Sequence, residues 1–313
     1  MRFTANNSPQ FSIPSIILTD TATATQAEIF CFGGLLNSFS IQLNNITINV
    51  VDGYANINEA IEQKNTWFKS CKLSPFVCRL NNGKYQLNNT PYKISTFYLG
   101  NNAMHGIVYD AIYNIETIEA NDNNALVVLT YNYLGIDKGY PFSYNIQLIW
   151  KLEPENKLSV TSIITNKNEQ EIPYCEGWHP YFKLDEPIDN CTLQFDTTEM
   201  LEFDKNLIPT GNLIPDKRFI NDTTLKNIEL DNCFLLSNIN NPKCVLKSNK
   251  IALTITPDNA YSYLQIFIPN HRNSIAIENL SAAPDAFNNK MGLLMLEPNN
   301  PYIFSTTYQI KSI

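Results

Sequence analysis

The chain has 313 residues, 44% of them hydrophobic and 17% charged, with a formal net charge of −8. That length allows one large β domain or two ordinary ones, and the apolar content excludes a disordered chain. The surplus of acid argues against a nucleic-acid partner, because no excess of Lys and Arg is present to neutralise phosphates. No stretch nears the roughly 20 apolar residues that span a bilayer, so no membrane partner is expected either.

The first seven residues carry neither a long apolar run nor a small-residue cleavage pattern, so no signal peptide is expected and the protein is placed in the cytoplasm. Residues 58–67 suit a short helix. Asn81-Asn82-Gly83 suits a turn between strands. Residues 125–134 are rich in Val, Leu, Thr and Tyr. Residues 144–152 alternate polar Asn145 and Gln147 with Ile146, Leu148 and Trp150. Leu158, Val160, Ser162 and Ile164 share one face of the next run, which ends at an Asn166-Lys167-Asn168 turn. Residues 251–256, 261–268 and 302–310 repeat the β-branched and aromatic pattern at period two that marks antiparallel strands. Residues 281–288 suit one helical turn, with Pro284 at its first position. No Gly/Ser/Pro-rich linker and no fixed-period repeat divides the chain. The expectation is a single all-β domain over 1–313, built of large antiparallel sheets packed face to face with little helix.

The seven cysteines are odd in number and form no C-x-x-C pair. Reduced, partly buried thiols explain them better than a disulfide framework, and no Cys/His cluster has zinc-ligand spacing.

Only three histidines occur. His179 lies in Gly177-Trp178-His179-Pro180-Tyr181-Phe182, where Pro180 favours an extended backbone before it. Aromatic neighbours would desolvate the imidazole and favour its neutral form. Core packing and acid–base chemistry are equal readings of that motif. His105 precedes Gly106, which suits a turn or a close ligand approach. His271, beside Arg272, suits an exposed turn. Glu278 stands in Ile275-Ala276-Ile277-Glu278-Asn279-Leu280 and projects from the face opposite Ile275 and Ile277. It is a solvated carboxylate if that face is outward and a base if it lines a cleft. Arg79 beside a turn and Asp231 in Glu229–Phe234 each have an ordinary surface or turn role as the simpler reading.

Together these segments are far more specific. The chain resembles the aldose 1-epimerase (galactose mutarotase) family through Pro75–Tyr85, Asn102–Gly106, Gly177–Phe182, Asp231–Phe234, Glu278 and Pro284-Asp285-Ala286-Phe287-Asn288, in the family's order and over most of the chain. The resemblance implies a galactose mutarotase-like β-sandwich with an open cleft and an isomerase that needs no cofactor. It implies Glu278 as general base, His179 as general acid, and Arg79, His105 and Asp231 as sugar-holding residues; Trp178 is an added candidate to stack on the sugar. The implied partner is a small aldose, and the implied state a monomer or homodimer. A base on one side of the ring and an acid on the other would open and reclose it. Cys78, where many relatives have Asn, Gln265-Ile266-Phe267 and the approach to His105 depart from the family's pattern and bear on substrate preference. A hexose 6-phosphate is the competing substrate, but such a site should gather several cations, and the chain has four arginines. A non-catalytic sugar-binding protein on the same fold is the remaining alternative.

Overall fold

The computed structural model describes residues 1–8, 13–238, 240 and 242–313. Every strand pairing in its sheets is antiparallel, and the strand runs expected from period-two patterning fall within a few residues of their places. Tyr144–Glu153 pairs Ala125–Tyr133 on one side and Lys157–Asn166 on the other, and the latter pairs Pro301–Ser312. These strands form the centre of a nine-stranded sheet. Burial alternates strictly along Tyr144–Glu153, so Tyr144, Ile146, Leu148, Trp150 and Leu152 face one way and their neighbours the other. Such alternation is what a sheet with one covered face requires.

The cover is an eight-stranded sheet in which Asp231–Leu236, Tyr263–Phe267, Ile275–Leu280, Gly177–Trp178 and Lys72–Leu73 lie in that spatial order. Cross-sheet contacts fix which side of it looks inward. Trp178 meets Trp150 at 5.5 Å between ring centres, Phe182 meets Tyr308 at 5.7 Å, and the Asn279 amide donates to Thr306 at 3.3 Å. Ile275–Leu280 is buried along its whole length, covered by the first sheet on one face and by the walls of a cleft on the other. A five-stranded sheet of Phe3–Ser8, Ser15–Asp20, Thr25–Phe30, Leu36–Leu43 and Ile46–Asn49 adds its apolar face to the same core.

Helix is scarce. Ile57–Trp67 is capped by Asn56, whose side chain accepts from the backbone N–H groups of Asn58 and Glu59. The second helix, Ala286–Asn289, begins two residues after Pro284 rather than at it. Among the described residues no helix is long and apolar enough to cross a membrane. All seven cysteines are buried and unbridged.

Candidate active site

Strand parity turns the inward face of the eight-stranded sheet into a statement about the outward one. Because Asn279 points at the first sheet, Glu278 points away from it. Because Trp178 is buried between the sheets, His179 lies on the other side. Both outward side chains enter one cleft, with Glu278 Oε1 3.3 Å from His179 Nε2. Gln265 lies directly beside Glu278 in register and Asp231 beside Phe267, which places the Asp231 carboxylate on the same face. The Gln265 amide donates to Asp231 Oδ1 at 2.8 Å.

Arg79 and His105 come from a different part of the fold. Arg79 pairs with Met104 across a short ladder, and the His105 N–H donates to the Cys78 carbonyl at 2.8 Å. Cys78 and His105 both have positive φ, 48° and 58°. Non-glycine residues visit that region rarely, Asn among the more readily, which accounts for an Asn being suited to the Cys78 position. Gly106 (φ 80°) lies so close to the Ser74 backbone that a Cβ there would stand 2.1 Å from its carbonyl oxygen. The glycine therefore lets this corner close and bring the His105 ring to 4.8 Å from that of His179.

The cleft encloses about 210 Å³ and is lined by Arg79, His105, His179, Asp231, Gln265 and Glu278 with an aromatic rim that includes Trp67, Phe68, Phe97, Tyr181 and Phe267. The helix supplies Trp67 and Phe68. Phe68 ends that helix at φ 52°, a strained conformation for a bulky residue, and packs 4.6 Å from His105. Of the residues expected to hold sugar, Arg79, His105 and Asp231 stand around the Glu278–His179 pair. Trp178 does not. It is 2% exposed, covered by Trp150 on one side and by the Lys72 ammonium, 4.6 Å from its ring centre, on another. Stacking on a ligand is impossible from there; the partly exposed aromatic surface of the cleft comes instead from Trp67 and Phe267. His271 is exposed beside Trp67, as its turn setting suggested.

Burial dominates the electrostatics. It pushes the Glu278 carboxyl well above the usual carboxylate range; the Asp231 charge adds to this and Arg79 opposes it. Asp231 is raised by its own burial, against Arg79 and the Gln265 hydrogen bond. His179 is pushed down to about 4 by burial. His105 is held well below its ordinary value by burial, then by His179 and Arg79. Each group is driven towards its neutral form. His179 Nδ1, His105 Nδ1, Glu278 Oε2 and Gln265 Oε1 are buried without a protein partner. Four such atoms around one small cavity are the hydrogen-bonding capacity a polar ligand would use. Among the described residues no group of three His, Cys, Asp or Glu side chains is arranged to hold a metal ion.

A larger groove of about 1210 Å³ lies between the Lys84–Leu87/Thr90–Lys93 hairpin and the Ala286–Asn289 helix, but neither imidazole nor carboxylate lines it.

This architecture of paired antiparallel sheets is that of the galactose mutarotase-like proteins. A galactose mutarotase-like protein from Clostridium acetobutylicum superposes with a TM-score of 0.85 at 16% identity, covering 100% of this chain and 99% of that one. A galactose 1-epimerase from Lactobacillus acidophilus NCFM gives 0.83 at 17% identity with the same coverage. In sequence, the uncharacterized protein YihR of Escherichia coli K12 is 25% identical over 237 residues, 74% of this chain and 75% of that protein. The aldose 1-epimerase family model matches residues 15–309, and the chain belongs to that family.

Proposed function

We propose that the protein is an aldose 1-epimerase that interconverts the α and β anomers of an unphosphorylated aldose. The observation that carries this reading is the Glu278–His179 pair, 3.3 Å apart and facing one sugar-sized cleft. The two groups stand side by side rather than on opposite sides of a ring, and this suits the chemistry. The anomeric O1 and the ring O5 are both bonded to C1, so adjacent groups reach both.

Two groups this close titrate as a unit. Burial favours the protonated carboxyl and the neutral imidazole. Moving one proton from Glu278 to His179 arms the pair as carboxylate and imidazolium without changing its net charge. Glu278 then takes the O1 proton, the C1–O1 double bond forms, and the C1–O5 bonding pair passes to O5, which takes the proton from His179. The pair is left in the neutral form that burial favours. Rotation about C1–C2 turns the other face of the aldehyde to O5, and closure reverses the proton transfers. General acid–base catalysis of this kind supplies about 10²–10⁴-fold for each transfer. Arg79, His105 and Asp231 orient the hydroxyls.

Arg79 is the one Lys or Arg among the residues lining this cleft, which favours a neutral sugar over a phosphate ester. Polarimetry on freshly dissolved α-D-glucose, α-D-galactose and α-D-xylose, with glucose 6-phosphate alongside, tests the proposal. Approach to the equilibrium rotation at the uncatalysed rate for every sugar would reject it.

A further inference from the structure

The cleft does not end at Arg79. A second cavity of about 420 Å³ shares Arg79 and Leu99 with it and is bordered by Asn81, Asn82, Asn101, Asn102, Lys205 and Asn206. Three loops meet there: the Asn81–Gly83 turn, the hairpin tip between Tyr98–Leu99 and Asn102–Met104, and the segment at 204–208. They are tied together. Asn102, 7% exposed, accepts from the Asn82 N–H at 3.1 Å and donates to the Asn206 carbonyl at 3.5 Å. Asp285 accepts from the Asn81 N–H at 2.8 Å, and Asp204 from the N–H groups of Asn206 and Ile208. Among the described residues the side chains of Asn101 and Lys205 make no hydrogen bond within the protein, and the lining includes no carboxylate.

Size and chemistry point the same way. Ligand sites commonly run to about 300–1,000 Å³. The Glu278 cleft alone, at 210 Å³, falls short of that range, and the two cavities joined fall inside it. Primary amides both donate and accept, which matches sugar hydroxyls. The annex is twice the volume of the catalytic cleft, far more than a phosphoryl group fills. We propose that the annex is a second sugar subsite and that the preferred substrate is the reducing end of a di- or oligosaccharide. The reducing residue sits with C1 at Glu278 and His179, and the next residue, linked through a hydroxyl on the Arg79 side, lies among the asparagines. This inference rests on the epimerase reading of the same cleft.

The test compares kcat/KM by polarimetry for maltose, cellobiose, lactose and melibiose against glucose, and for 1,4-galactobiose against galactose, with glucose 6-phosphate as the anionic arm. At least one disaccharide is expected to exceed its own reducing-end monosaccharide. The double variant Asn101→Ala/Asn206→Ala should cut that disaccharide's value about tenfold, as the loss of two neutral hydrogen bonds would, with the monosaccharide value within twofold of wild type. Accelerated monosaccharides with no disaccharide above them would overturn the subsite and leave the epimerase intact. A preferred disaccharide indifferent to the double variant would overturn its location at the asparagines. Preference for glucose 6-phosphate over every disaccharide would assign the annex to an anion and overturn the proposal, and no acceleration of any sugar would overturn both readings.

Discussion

Glu278→Gln keeps the size and the amide-compatible hydrogen bonding of the side chain and removes its basicity. Glu278 is 2% exposed and 3.3 Å from His179, so the variant changes protons and little else. Loss of a general base costs about 10²–10⁴-fold, so kcat/KM should fall by at least two orders of magnitude. The same substitution has a signature in stability. Glu278 is held well above its ordinary value of 4.5 in the folded chain, so between 4.5 and the raised value the native state keeps a proton that the unfolded chain releases. The native state then binds more protons, and stability falls as pH rises, by up to about 1.4 kcal/mol per pH unit. Glutamine has no such dependence. The melting temperature of the variant relative to wild type should therefore climb from pH 5 to pH 8, at about 2 °C or less per kcal/mol in a chain this long. Calorimetry at pH 5, 6.5 and 8 with parallel polarimetry measures both. Activity within tenfold of wild type in a folded variant would refute the base assignment. A wild-type-to-variant difference flat across that pH range would refute the buried protonated carboxyl.

Asp231→Asn removes a charge that raises Glu278, so the acidic limb of the kcat/KM–pH profile should move to lower pH; an unmoved limb would exclude that coupling. Lys72 and Glu176 form a fully buried ion pair at 2.6 Å, so Lys72→Met leaves an uncompensated buried carboxylate and should cost about 3–5 kcal/mol in denaturant titrations. Combining it with Glu176→Leu should recover part of that loss, and a double variant no more stable than Lys72→Met would count against the pair as its cause. Trp178→Phe should lower stability by about 1–3 kcal/mol with KM for sugars unchanged; a raised KM would return Trp178 to the cleft.

Much of the sheet structure is legible in the sequence. Period-two alternation marked Tyr144–Glu153, Lys157–Asn166 and Pro301–Ser312 because each has one covered face, and the pattern of burial is the pattern of the side chains. The Glu278 strand was harder: both its faces are covered, so alternation in hydrophobicity is weak and only the acid itself stands out. Gln265 carried a usable signal that was read as a family departure, a polar residue in an apolar strand on the parity that faces Glu278. Trp67, Phe68 and Lys72 carried none. Their roles depend on a helix end and a short strand meeting segments distant in sequence, His105 for Phe68, Tyr181 for Trp67 and Glu176 for Lys72.

Local sequence determined the strands, the turns and the parity that sets Trp178 against His179 and Ile277 against Glu278, because side-chain direction along a strand follows from backbone geometry alone. It could not say which parity faces the core. That was decided when the second sheet laid Trp178 and Asn279 against Trp150 and Thr306, which turned His179 and Glu278 outward and brought Arg79 and His105 in from another ladder. The distance between two side chains 99 positions apart depends on every pairing between them, so the 3.3 Å separation of His179 and Glu278 belongs to the tertiary structure.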